Sequence, residues 1–515
     1  MSNTENFLKL RDEFCKKLEI VQKNAELTSW NFYINSTDEN LEAYSKAQED
    51  YYDLFQDKET YEKFKEIYDI GIDDKHLSKQ LKKLVKEFED EIKFGDELKV
   101  LRDLENEIAA KYNKHVMMID NEPISNVEII KILETETNVD LRQKAFFART
   151  NCGNVIAKDL VNLVKKRNEW AKIKGYDNFF NYMIEDTYDI TPQKLDELLN
   201  AVYEKTKDKC LEFTKRNQTD LAKSFEIEIS ELRDFHYGLL TEENPEKEVT
   251  KYIDNVVEIA ENAYKNMGYD INNMGITLDL YPRPNKNTHG FAFCIEAGKD
   301  ARILANLTDN ISSLNTILHE LGHCVYDIGI NTELPFLDRD CASSAMTEAI
   351  AMLMGDLPKT ENILSNIVPD NVLEKFKSEL KKDEARFVAR SLQIIEFEKG
   401  MYNNPNQDLK QLWKQVKQKY LFRSDNTEID NSWATVPHYL SHPGYYQNYF
   451  RAALIKAQIY NTMREKLNGN ISENNKTAEF LENNLFKIGA SKDEDEIIKN
   501  ITGKPLGVED FCNRF

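Results

Sequence analysis

A mainly α-helical fold with one small β-sheet is what this sequence predicts, and three observations predict it. Glycine and proline are scarce, at 18 and 12 in 515 residues, about half the usual share, and strands and turns use those residues most. Apolar residues recur at spacings of three and four through most of the chain, the period of a helix with one buried face. Only near Gly275 does the texture change, to short apolar runs broken by Pro, Asn and Gly, the pattern of strands and tight turns.

In chain order, Leu10, Phe14, Leu18 and Val21 form the stripe of a first amphipathic helix. Ser36 with Glu39 three residues on reads as a capping box opening a second, and Leu41, Tyr44, Tyr51 and Leu54 continue its apolar face. Lys- and Glu-rich helical sequence follows from about Asp74 to Tyr112, its charges those of a solvated face. Thr191-Pro192 reads as an N-cap with Pro at the first helical position. Ile276 to Tyr281, Gly290 to Glu296 and Ala301 to Asn306 are the strands. Helices return at about Asp309 and run to the C-terminus. No repeat, low-complexity segment or flexible linker divides the chain, so residues 1–515 read as one large unit.

Composition narrows the function. The 26 Phe, 24 Tyr and 4 Trp supply a core and exclude disorder. Ninety acidic against 68 basic residues, a net charge of -22, repel nucleic acid and anionic lipid. The apolar run Ala349 to Met354 is far short of the roughly 17–25 residues that cross a bilayer. The start, Met1 to Asn6, lacks a basic stretch followed by an apolar one, so no secretory leader is expected. The seven cysteines make an odd count without CxxC spacing, which predicts reduced thiols in a cytoplasmic protein.

Residues 319–323 read His-Glu-Leu-Gly-His. On a helix, His319 and His323 share a face and can hold one zinc ion, with Glu320 between them placed to take a proton from the attacking water. Leu314, Ile317, Leu318, Leu321 and Val325 form the core stripe of that helix, and the two histidines point roughly 140–180° away from it. Histidines buried as ordinary core would lie on the stripe; these face solvent or a cleft. A catalytic zinc takes a third protein ligand. Glu348 stands alone in the apolar run Ala345 to Met352, where a carboxylate is costly to bury unless paired or metal-bound; the competing reading puts it on the one exposed edge. An electrophile for the oxyanion is offered by the polar-aromatic cluster from His438 to Tyr449, which read alone is more often ordinary packing. The chain is thus a hydrolase, or else a helical scaffold or peptide-binding protein. Glu320 favours the first, because holding a metal needs the ligands and not the base.

Together these segments resemble the angiotensin-converting enzyme family of zinc peptidyl-dipeptidases. The likeness is carried by Ser29-Trp30-Asn31-Phe32, Gly298-Lys299-Asp300-Ala301-Arg302-Ile303, the 30-residue step from His289 to the first motif histidine, and Gly489, Ser491, Thr502-Gly503 and Phe515 in the tail. It implies an elongated helical ellipsoid with a deep central channel, a small β-sheet beside the zinc site and N-terminal helices lidding the channel. It implies zinc on His319, His323 and Glu348, Glu320 as general base and acid, and Tyr449 with His438 at the oxyanion. His289, Ala292 and Tyr446 would bind substrate, with His442 the rival of His438 for the substrate histidine. Three positions depart from that family: Val436 replaces a lysine of the C-terminal carboxylate clamp, Asn448 an arginine, and Met352 an aspartate behind the zinc ligands. The missing lysine, together with a clamp glutamine that has no counterpart here, predicts weak selectivity for a free substrate C-terminus. The thimet oligopeptidase and oligoendopeptidase families, which share the motif and a His/Tyr cluster, are the second resemblance. Either implies oligopeptide substrates and no nucleic-acid or membrane partner; the oligomeric state is left open.

Overall fold

The computed structural model describes residues 2–240 and 244–515. Met1, the first residue of the acidic start read above, and residues 241–243 lie outside the described residues. The fold is mainly α with two small sheets, and no described helix is long and apolar enough to cross a membrane. All seven cysteines are free. The chain divides into two compact units, each assembled from three stretches.

The first unit comprises the chain up to Leu98, Glu246–Ser378 and Arg451–Gly507. Its opening helix, Asn3–Ile34, is capped by Ser2, whose hydroxyl accepts from the Glu5 amide while the Glu5 carboxylate reaches back to the Ser2 amide. Phe7, Phe14 and Leu18 from its stripe pack with Phe55, Phe64 and Phe88 of the following helical segments. The second helix, Asp38–Leu54, is capped by Thr37, which accepts from the Asn40 amide. The expected Ser36 box is therefore off by one residue, and the Ser36 hydroxyl donates to the Phe32 carbonyl instead. Leu41, expected on the buried face, is 45% exposed, and Ala47 is the residue that the second helix buries. The long helix Lys75–Lys114 matches the charged run, with a kink at Phe94.

The three strands form where the texture changed. Asp300–Leu304 is central, parallel to Ile276–Asp279 and antiparallel to Phe291–Glu296. Phe291–Glu296 is thus an edge strand, and Trp30 and Tyr33 of the opening helix pack on its Phe293 and Phe291 rings. The loop leading into it is locked by Lys286, whose buried ammonium donates to the Asp279, Tyr281 and Ala305 carbonyls and to the Asp279 carboxylate.

The helix Ile311–Gly329 carries the His-Glu-Leu-Gly-His motif and starts at Asn310, whose side chain accepts from the Ser313 amide. Ile311, Leu314, Ile317, Leu318, Leu321 and Val325 are buried on it, and the Tyr264 hydroxyl donates to its Leu318 carbonyl. The next helix, Ser344–Gly355, is capped by Ser343 and buried almost all round.

The second unit holds the described residues of Lys99–Pro245 together with Glu379–Phe450 and Val508–Phe515. Its long helices are Val139–Ile173, Pro192–Phe225 and Leu380–Asn403. Thr191 caps the second of these and Pro192 opens it, as expected. The buried Arg167 donates to the Tyr402 hydroxyl and to the carbonyls of Tyr439 and Leu440, and pairs with Glu105.

Candidate active site

The first unit brings His319, His323 and Glu348 together. One ligand atom from each lies within 4.8 Å of the others. The Nε2 atoms of His319 and His323 stand 3.4 and 3.6 Å from the two Glu348 carboxylate oxygens. Glu348 is 4% exposed, whereas the histidine side chains keep 27% and 18% of their surface open, so the set is approachable from the histidine side.

Gly322 explains how the two helices come close enough. A Cβ there would lie 2.7 Å from the Ala351 Cα and 3.2 Å from the Ile350 carbonyl oxygen. Only a residue without a side chain lets the helix Ser344–Gly355 settle on the motif helix at this separation, and that contact sets Glu348 against the histidines. Gly355, on the other flank, lies beside His319, and a Cβ there would make only ordinary contact with it, 3.4 Å from the His319 Cβ.

Burial sets the charges. It pushes the imidazoles down, His319 to about 4 and His323 to about 3, so both are neutral at pH 7 with a lone pair to give. It pushes the carboxyls up, Glu320 to about 7 and Glu348 to about 8, the charge of Glu320 adding to the effect on Glu348. No lysine or arginine pairs with Glu348 among the described residues. Two neutral imidazoles and one buried carboxyl, which a bound cation would hold ionised, fit a divalent metal, and this donor set suits zinc.

Supporting contacts orient the set. The Thr347 hydroxyl sits 2.8 Å from His323 Nδ1, which leaves Nε2 for the metal side. Asp356 acts electrostatically on His319 and is itself paired with the buried Lys456. Asp356 lies two helical turns beyond Glu348, a turn past the Met352 position where the resemblance expects an aspartate. The Ala292 backbone on the edge strand acts on the Glu320 carboxyl, against the effect of burial. His289 is exposed in the loop before that strand, its ring 6.2 Å from Phe291 and its amide donating to Asn287.

In the second unit the ring of His438 lies 4.8 Å from Tyr446, 5.8 Å from Tyr449 and 6.0 Å from His442. Tyr445 joins the group, 5.2 Å from Tyr449. Burial lowers His438 to about 4, with His442 adding to the effect, and lowers His442 too. The segment is held from beneath. Arg167 grips the Tyr439 and Leu440 carbonyls, and the buried Glu398 accepts the Gly444 amide at 2.8 Å. Gly444 has φ +73, a left-handed turn that glycine enters without strain; it brings Tyr445 and Tyr446 round to face His438.

Sequence reading named the three residues that the structure brings together, His319, His323 and Glu348, and missed what positions them. Thr347 and Gly322 could have been suspected, one as the neighbour of Glu348 and the other as a glycine inside a helix. Asp356, Lys456, Arg167 and Glu398 leave no sequence signal.

The family model of peptidase family M3 matches residues 132–515, a stretch that contains every residue described at both clusters. The chain is 21% identical over 347 residues to oligoendopeptidase F, chromosomal, of Lactococcus lactis subsp. cremoris, covering 60% of this chain and 52% of that protein. It is 24% identical over 173 residues to group B oligopeptidase PepB of Streptococcus agalactiae serotype III (strain NEM316), covering 29% and 25%. It therefore spans about half the length of the first relative and a quarter of the second. The second of the two resemblances read from the sequence, the oligoendopeptidase type, is the one these matches favour. The chain belongs to peptidase family M3.

Proposed function

We propose that this chain is a zinc-dependent oligopeptidase that hydrolyses bonds within short peptides. The observation that carries the reading is a buried carboxylate met by two neutral imidazoles, with a second carboxyl, Glu320, beside it. His319, His323 and Glu348 would hold the zinc. Bound there, zinc would supply a Lewis acid that polarises the peptide carbonyl and acidifies water. Glu320, pushed up to about 7 by burial, is tuned to take the proton of the attacking water near neutral pH and to return it to the leaving amine.

For the oxyanion we propose Tyr449 and His438 as donors, since a phenol and an imidazole can donate without bringing a full charge. His289, Ala292, Tyr446 and His442 are proposed as peptide contacts. Internal cleavage is preferred to dipeptide release because both named relatives are oligopeptidases. A cytoplasmic location follows the thiol usage, and the acid excess argues against nucleic acid as a partner.

The test is zinc content by elemental analysis together with hydrolysis of a peptide ladder read by mass spectrometry. One zinc per chain and cuts at internal bonds are expected. Glu320→Gln should keep the zinc while turnover falls by about two to four orders of magnitude. Near-normal turnover in that variant at full zinc would sink the mechanism.

A further inference from the structure

The two histidines of the proposed metal set are supported unequally. His323 has an outer partner, the Thr347 hydroxyl, 2.8 Å from its Nδ1 and carried by the same helix as Glu348. His319 meets Glu348 through Nε2, but among the described residues no hydrogen bond reaches its Nδ1. Asp356, which acts on His319 electrostatically, is taken up by the buried Lys456, 2.5 Å from its carboxylate. A neutral imidazole has one N–H and one lone pair. When Nε2 gives its lone pair to a cation, Nδ1 carries the proton and needs an acceptor.

One acceptor stands on the same helix. Asn315 lies four residues before His319 on Ile311–Gly329, so the two share a face one turn apart. A helical side chain leans toward the N-terminus and covers the turn before its own Cα, which brings the His319 side chain over the turn that Asn315 begins. The Gly355 position marks the same spot from outside. A Cβ there would lie 3.4 Å from the Asn315 carbonyl oxygen, 3.4 Å from the His319 Cβ and 3.8 Å from the His319 Nδ1. Nδ1 and Asn315 are therefore on one flank of the helix. The side-chain Oδ1 of Asn315 is buried and has no hydrogen-bond partner. A buried acceptor left unpartnered is destabilising, and Asn is a poor residue for a helix interior. The residue is not there to cap, because Asn310 caps this helix. The next residue, Thr316, satisfies its own hydroxyl on the Ser312 carbonyl.

We propose that Asn315 is a positioning residue for the metal set: its Oδ1 accepts the Nδ1–H of His319 and holds that imidazole in the tautomer that offers Nε2. The inference rests on the zinc reading and deepens it. Asn315 does for His319 what Thr347 does for His323, one from the motif helix itself and the other from the helix packed on it. An amide does so without adding charge, where Glu320 and Glu348 already place two carboxyls.

The experiment uses the full chain and measures two quantities: zinc affinity by competition with a chelator, and the melting temperature after the metal has been stripped. The variants are Asn315→Leu, which keeps the bulk and lacks the acceptor, Asn315→Ala, which lacks both, and Asn315→Asp, which keeps the acceptor. Asn315→Leu and Asn315→Ala should each bind zinc about 10–100-fold more weakly, the range for an outer partner of a ligand. Their stripped forms should melt at or above the wild-type temperature, because an unpartnered buried oxygen has been removed. A merely structural asparagine gives the opposite pair, a lower melting temperature and unmoved zinc affinity, and that result overturns the inference. Asn315→Asp should hold zinc at least as tightly as the wild type; a loss equal to that of Asn315→Ala also overturns it. In either case stoichiometric zinc in the wild type leaves the zinc reading standing. A wild type that holds no zinc sinks that reading and the inference with it.

Discussion

The two clusters are deficient in opposite ways. In the first unit, two imidazoles meet a buried carboxyl, and no cation of the described residues completes the set. It is a group of lone pairs. In the second unit, phenols and imidazoles gather around His438 and Tyr446, and the nearby acid is occupied by a backbone amide. It is a group of donors. On the function proposed above, the first suits a cation and the second the oxygen that gains negative charge in the reaction.

The sharpest way to break this contrast is to remove the anion from the lone-pair set. Glu348→Gln should weaken zinc by more than about a hundredfold, beyond the 10–100-fold typical of an outer contact, while circular dichroism shows the helices intact. Stoichiometric zinc retained after dialysis would remove Glu348 from the set.

A smaller effect is expected from Gly322→Ala, which leaves every ligand in place. The added methyl would press on the Ala351 backbone at 2.7 Å, and overpacking of this kind costs about 1–3 kcal/mol. The helices must part, so both the melting temperature and zinc affinity should fall. A variant that melts lower yet binds zinc at full strength would show that the close approach does not position Glu348.

The smallest effect concerns the donor set. Burial raises Glu398 to about 8, with Gly444 and Arg167 pulling the other way. Its folded value lies above the unfolded one, about 4.3, so the protonated form is the one the fold favours. The stability it contributes is therefore complete below the unfolded value and is lost as pH rises through about 8. Glu398→Gln keeps an acceptor for the Gly444 amide and cannot ionise. The wild-type melting temperature should decline between about pH 5 and 8 more steeply than that of the variant. Parallel profiles would mean that Glu398 is not charged by that rise.

The contrast also explains what the sequence disclosed. The lone-pair set was legible because it obeys the helix period: His319 and His323 are four apart and off the apolar stripe, and Glu348 interrupts a run that is otherwise apolar. The strands were legible for the same local reason. The donor set was legible only as a concentration of His and Tyr. Arg167 comes from a helix far back in the chain, and no spacing links it to the Tyr439 and Leu440 carbonyls that it holds. Thr37 displaced Ser36 as a cap for a simpler reason: adjacent Ser and Thr both qualify, and the backbone at 37 is the extended one that precedes the helix. Lys286 read as one more surface lysine in a loop rich in Pro and Asn, and nothing local shows that three carbonyls converge on it.

The close contact at Gly322 has a bearing on how the protein is made. The three proposed metal ligands and Glu320 lie between His319 and Glu348, on two helices that follow each other in the chain. The set is therefore local in sequence, and local closures are entropically cheaper and faster than distant ones. The donor set is the reverse: Arg167 meets the Tyr439 and Leu440 carbonyls only after long stretches of chain have been gathered. During synthesis the helix pair of the first cluster emerges well before Tyr446, so on the function proposed above metal capture need not wait for the second cluster.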